Sequence, residues 1–323
     1  MDSVKYRVTH LPFVVLSAIL GIFIATGTAV AEEFPSKPIT IIVPYSAGSN
    51  MTKYSRAAVI SLSKSLGVPV VVKNVPGANG WNTVYQAKPD GYTLGVGDPT
   101  GQIGISMVQK LPYEISKFTW LGQFASGNQL LVAGNKSGFK SLQDLKNAKK
   151  PVRCGTFGGL SAGAVQCALL GDKIGFPVKF VNTKGPREVP LATLRGDVDI
   201  GSVGVNLWLG HIKKGDVTPI VVWSAERDKR VPNVDSLSDI GLADLSNLTV
   251  YRAVFTTPGV PQDRKDILMK ALNESQKGPS WTAFITKGNL DNNYVFDNNY
   301  AVILQKAYDS VNSRRALIEE AFK

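Results

Sequence analysis

Ile39–Val43 is an unbroken aliphatic and β-branched run, the pattern of a strand covered on both faces. A loop of small residues follows, Pro44-Tyr45-Ser46-Ala47-Gly48-Ser49-Asn50. Over residues 52–66 the period changes: Tyr54, Ala58, Leu62 and Leu66 recur every four residues as one helix face, and Gly67 stops it. Residues 68–72 predict the next strand. Pro76-Gly77-Ala78-Asn79-Gly80 then leads into a short helix ending near Ala87, and Asp90-Gly91 turns the chain into a strand at 92–96. Further strands are expected at 118–124, 130–133, 152–156, 178–181, 198–203, 219–222 and 249–256. Helices are expected at 142–148, 162–172 and 190–195, with strongly helical stretches at 264–275 and 300–322. Alternating βα units imply an α/β protein with mainly parallel sheets flanked by helices.

A chain of 323 residues suits about two domains of ~100–200 residues each. Apolar residues at 44% and charged residues at 19% are ordinary for a globular protein. Two His and two Cys are too few for a zinc ribbon or a His/Cys metal cluster, so neither metal nor cofactor is expected. The net charge of +11 does not read as a nucleic-acid footprint. Its densest basic groups, at 146–150 and 227–230, are short, partly offset by acids and free of interleaved aromatics. A diffuse positive field that draws in small anions suits the composition better.

Residues 1–31 read as an export signal. Lys5 and Arg7 precede an apolar run at 11–25, and Ala29-Val30-Ala31 has the small–x–small form of a cleavage site. The run is short for a membrane span of ~20 residues. Cleavage after Ala31 places the mature protein in the periplasm and removes His10, leaving His211 as the sole imidazole. In that oxidising compartment Cys154 and Cys167 fit a disulfide, and they fit equally well as two small buried hydrophobes. His211 sits in a basic, helical-looking stretch without a motif, and no Gly-x-Ser-x-Gly elbow or Walker loop occurs. A hydrolase remains the alternative from another class, and a ligand-presenting partner of a membrane sensor kinase a third.

Two loops of small, hydroxylated residues, 45–50 and 156–161, each join a strand's C-terminal end to a helix. Such loops leave the first helical N–H groups without partners at the positive end of the helix dipole, where a carboxylate gains charge-assisted hydrogen bonds. Either loop alone also reads as a plain capped turn, with Ser49 or Asn50 and Ser161 as caps, and it is the recurrence of two such loops that points to a clamp. As ligand loops they nominate Tyr45, Ser46, Ala47, Gly48, Ser49 and Asn50, then Thr156, Phe157, Gly158, Gly159 and Ser161.

The order of landmarks resembles the periplasmic receptors of tripartite tricarboxylate transporters, the Bug family. The resemblance runs through Pro35-Ser36-Lys37-Pro38-Ile39, the 44–49 loop, Asn74-Val75-Pro76-Gly77-Ala78-Asn79-Gly80 and Pro89-Asp90-Gly91-Tyr92-Thr93-Leu94. It continues through Leu111-Pro112-Tyr113, Lys184-Gly185, Gly196-Asp197-Val198-Asp199, Ser224-Ala225-Glu226-Arg227 and Thr257-Pro258-Gly259-Val260-Pro261. It departs at Ser46 and Ser49, at Ala164 in place of a histidine, and at Val203 where many members carry an aspartate that meets a ligand's amine. Loss of that aspartate turns the expectation from amino acids to di- or tricarboxylates or an aromatic acid.

The resemblance implies a two-lobed, type II-like periplasmic-binding-protein clamshell. Lobe 1 would comprise residues 32–130 and 251–323, lobe 2 residues 131–250, with the ligand in the cleft. It implies binding without catalysis, a monomer, and delivery to one large and one small integral membrane component. Asn79, Asp98, Thr100, Thr183, Val203 and Arg252 complete the candidate contacts. Arg252 suits either a bidentate carboxylate contact or an inter-domain salt bridge, and Phe157 with Trp208 either an apolar wall or plain core.

Overall fold

A computed structural model describes residues 33–157 and 161–322, with Met1 and Ser3. The signal expected over 1–31 otherwise lies outside the described residues, as do Gly158 and Gly159 of the second loop. The chain runs β1 (Ile39–Val43), α1 (Asn50–Leu66), β2 (Val70–Asn74), α2 (Ala78–Tyr85), β3 (Thr93–Gly97), α3 (Pro99–Val108) and β4 (Thr119–Gly127). There follow β5 (Gln129–Gly134), α4 (Leu142–Lys146), β6 (Val152–Phe157), α5 (Ala162–Ile174), β7 (Val178–Thr183), α6 (Glu188–Arg195), β8 (Ile200–Gly204), α7 (Leu209–Lys214) and β9 (Val217–Val222). It ends with β10 (Val250–Thr256), α8 (Gln262–Ser275), α9 (Pro279–Gly288), α10 (Asn299–Asn312) and α11 (Arg315–Ala321).

The strands make two five-stranded sheets, ordered β2-β1-β3-β10-β4 and β7-β6-β8-β5-β9. The βα units supply the parallel pairs, β1 with β2 and β3, and β6 with β7 and β8. In each sheet two further pairs are antiparallel, because one strand arrives from the other half of the chain: β10 between β3 and β4, and β5 between β8 and β9. The chain therefore crosses between sheets twice, at Asn128 and over residues 223–249.

Local sequence explains most boundaries. Ser49 caps α1 by accepting from the Thr52 amide at 3.2 Å, and Gly67 ends it at φ 70°, where an L side chain would be strained. The four residues spaced along that helix are buried, as the pattern requires. The expected helix over 300–322 is broken at Ser313–Arg314, where the Arg314 guanidinium turns back to Ser310 O and also reaches Asp244.

Ile41, Tyr54, Leu62, Leu272 and Trp281 fill one face of the first sheet. A second core runs from Trp81 and Phe255 under that sheet to Cys154, Val165 and Leu169 under the other, so the two sheets share packing at α3 and α5. Leu130, Val132, Val189 and Trp208 fill the far face of the second sheet.

Candidate functional site

Because β1, β2 and β3 run parallel while β10 and β4 run against them, one edge of the first sheet collects the 44–50 loop, the start of α2, Asp98, Gly127 and Thr249 to Arg252. The second sheet does the same with Thr156, Ser161, Thr183, Gly204 and Gln129. Both crossovers join these two edges, so the carboxyl ends of the parallel strands face one another, where α/β ligands collect.

The first loop is braced from beneath. Asn74 Nδ2 donates to Tyr45 O at 2.9 Å and to Thr52 Oγ1 at 2.7 Å, and Thr52 Oγ1 donates to Ser46 O at 3.0 Å. Ser46, Ala47 and Gly48 are exposed, Ser49 and Asn50 half-buried. The amides of Asn50 and Met51 have no acceptor among the described residues, leaving the start of α1 open to an anion. Asn79 is exposed in the first turn of α2, whose N-cap, Gly77, brings no side chain. Tyr45 Oη accepts from the Asp98 amide at 3.2 Å, and burial pushes its hydroxyl pKa well up, so it stays neutral.

At α3 the equivalent place is already filled. Asp98 accepts from the amides of Thr100 and Gly101 at 3.3 Å each and of Tyr251 at 3.2 Å. Burial raises its pKa to about 6, against the lowering effect of those three amides. Thr100, also buried, donates its hydroxyl to Thr249 O at 3.4 Å. Asp98 thus serves α3 as an internal anion and ties it to β10.

In the second loop Ser161 caps α5, its Oγ accepting from the Ala164 amide at 3.3 Å, while the Ala162 and Gly163 amides have no acceptor among the described residues. This helix start is held hard against the sheet. A Cβ on Gly163 would sit 2.1 Å from Ser202 O, so only glycine fits. Gln166 accepts from Ser202 Oγ at 2.8 Å and donates to Leu248 O at 2.8 Å. Cys154 on β6 and Cys167 on α5 are joined by a disulfide, so of the two readings the bridge is the one realised. Thr183 donates to Thr156 O at 2.9 Å and steadies the end of β6. Thr156 is buried and Phe157 partly so. Val203 and Trp208 point into the core on the far face, with Phe157 packed against the same cluster, so of the two readings for Phe157 with Trp208 plain core is the one realised: Trp208 is 0% exposed.

Arg252 is 3% exposed, beside Gly127 and over the Tyr54 ring at 5.0 Å. Its Nη2 lies 3.9 Å from Asp291 Oδ2, while Nε and Nη1 have no partner among the described residues. Asp291 also takes Arg230 Nη2 at 2.9 Å, and Arg230 holds Asp228, which accepts from Asn128 Nδ2 at 3.0 Å. Burial works to raise the Asp228 pKa, but the bonds from Arg230 keep it below the usual range. Both crossovers are therefore knitted to the first sheet by buried charges, and Arg252 belongs to that network.

Sequence reasoning missed Lys53 and Arg187. Lys53, in the second turn of α1, has its ammonium pKa lowered by burial and by the Arg187 guanidinium, which sits at the start of α6 under the other sheet. The two cations, on helices that pack on different sheets, therefore repel one another. Nothing in the helical pattern of 52–66 marks Lys53, since the pairing is visible only in three dimensions. Gln129 and Asn206, at the second sheet's edge, were likewise missed. Among the described residues no cluster of His, Cys, Asp and Glu is arranged for a metal, and no helix is long and apolar enough to cross a membrane.

Comparison with known proteins agrees with this layout. The chain is 30% identical over 268 residues to a UPF0065 protein of Bordetella bronchiseptica, covering 80% of this chain and 78% of that one. Its fold is similar to that of the periplasmic binding protein BugD, with a TM-score of 0.73 at 19% identity, over 89% of this chain and 98% of that one. It is similar too to MatC from Rhodopseudomonas palustris, solved with bound malate, with a TM-score of 0.74 at 22% identity, over 88% and 100% of the two chains. Residues 54–322 match the model of the tripartite tricarboxylate transporter family receptor, TctC. The chain, with its two mixed sheets flanked by helices, therefore belongs to the tripartite tricarboxylate transporter receptor family, a family of solute-binding proteins rather than enzymes.

Proposed function

We propose that this protein is a periplasmic receptor that captures a small organic carboxylate, a di- or tricarboxylate or an aromatic acid, and delivers it to the membrane components of a tripartite transporter. The two lobes are built on the two sheets, with the chain crossing between them at Asn128 and over residues 223–249. The open starts of α1 and α5 each take one anionic end of the ligand. Only a closed cleft satisfies both sets of amides, so binding favours closure.

The observation that carries this reading is the pair of open helix starts, α1 and α5, whose first two amides have no acceptor among the described residues. Lys53 on α1 and Arg187 at the start of α6 repel one another, and an anion bound beside them offsets that repulsion. Membership of the receptor family and the malate bound by MatC support the same chemistry.

A thermal-shift panel of mono-, di- and tricarboxylates and aromatic acids tests it. A ligand held at about 100 times its Kd adds ~2.7 kcal/mol, raising Tm by roughly 4 °C for a chain of this size. Lys53→Ala reduces the shift and its salt sensitivity. A panel in which no acid shifts the wild type contradicts the proposal.

A further inference from the structure

Gln129 opens β5 immediately after the Asn128 crossover and pairs directly with Gly204 at the end of β8. Leu130 and Val132 point to the far face of that sheet, so Gln129 lies with Leu131 and Ala133 on the face that packs against α5. Ser202, two residues before Gly204 and on the same face, is the residue that Gln166 and Gly163 of α5 touch. Gln129 is therefore beside the open start of α5.

Its side chain is 5% exposed and makes no hydrogen bond to any described residue. Asn206, half-buried in the turn after β8, likewise makes none with its side chain. The two amides converge: a Cβ placed on Gly204 would lie 2.9 Å from Asn206 Oδ1 and 4.0 Å from Gln129 Nε2. A buried amide without a partner is costly, and Gln129 carries one, with the half-buried Asn206 amide beside it, the open start of α5 nearby and the glycine leaving room between them.

We propose that Gln129 and Asn206 form a neutral subsite that takes a hydroxyl carried on the carbon skeleton of the bound dicarboxylate. The inference rests on the carboxylate-receptor reading and narrows its ligand to hydroxy-substituted diacids. An amide offers a donor and an acceptor, and a hydroxyl is the substituent that needs one of each. A methylene at that place leaves both amides unpaired. An ammonium brings a desolvated charge with no carboxylate to meet it.

Isothermal titration of the purified protein with succinate and malate, glutarate and 2-hydroxyglutarate, adipate and 2-hydroxyadipate, and aspartate tests this. The hydroxylated member of the best-fitting pair is expected to bind about 3- to 10-fold more tightly than its parent, the worth of one hydrogen bond, and aspartate more weakly than malate. Gln129→Leu is expected to abolish the preference. Asn206→Asp is expected to move the preference from malate toward aspartate, which a merely structural role does not do. Parent diacids bound without any hydroxyl preference, or a preference surviving in both variants, overturn the inference and leave the receptor reading intact. A wild type that binds none of the acids overturns both.

Discussion

Cys154 and Cys167 are bonded across the interface between β6 and α5, with their Cα atoms 6.8 Å apart and both side chains fully buried. The bridge closes a loop of 13 residues that contains Thr156 and Ser161. For a loop of that size the chain-entropy account gives about 3 kcal/mol of stabilisation. Cys154→Ala with Cys167→Ala is expected to lose roughly that amount in chemical denaturation, and an unchanged midpoint contradicts it.

Asp98 gives the fold an acid-side signature. Its pKa rises from 3.8 to about 6 on folding, so between those values the folded chain holds a proton that the unfolded chain has released. The contribution of this group to stability is therefore greatest below about pH 4, falls as pH rises to about 6, and is constant beyond. Asp98→Asn removes that slope. Relative to the variant, the wild type is expected to lose on the order of 3 kcal/mol between pH 4 and pH 7. A pH-independent difference contradicts the assignment.

Gly48 has open space around it, so a side chain there is tolerated. Gly48→Asp puts a carboxylate at the start of α1, where the dipole welcomes it, and occupies the place meant for the ligand. Carboxylate affinity is expected to drop about 100-fold or more, with Tm unchanged or raised. Undiminished affinity removes the first loop from the site.

Asp291 holds the half-buried Arg230 and is the acid nearest the buried Arg252. Asp291→Ala removes the acid that lies 3.9 Å from Arg252. A loss of about 3 kcal/mol in urea unfolding is the expected result. A loss under about 1 kcal/mol shows that the network does not bind the crossovers together.

The fold was legible wherever one physical pattern dominated. β1 and α1 follow from an apolar run and a four-residue repeat, and both capping serines, Ser49 and Ser161, stand where small polar loops meet helix patterns. α3 escaped notice because Pro99, Gly101 and Gly104 weaken its helical signal, and the cap that starts it, Asp98, owes its burial to β10, which arrives 153 residues later at Tyr251. The antiparallel half of each sheet was hidden for the same reason, since local sequence does not report which strand is inserted from afar. The two candidate loops were read from their composition. The cations that repel one another, Lys53 and Arg187, and the amides at Gly204 are relations between distant segments and leave no local mark.

The most direct test is a crystal structure of the protein with a bound dicarboxylate. The predicted result places one carboxylate about 3 Å from the amides of Asn50 and Met51 and the other at the amides of Ala162 and Gly163. A ligand that engages only one of these helix starts, or that binds away from both sheet edges, contradicts the account.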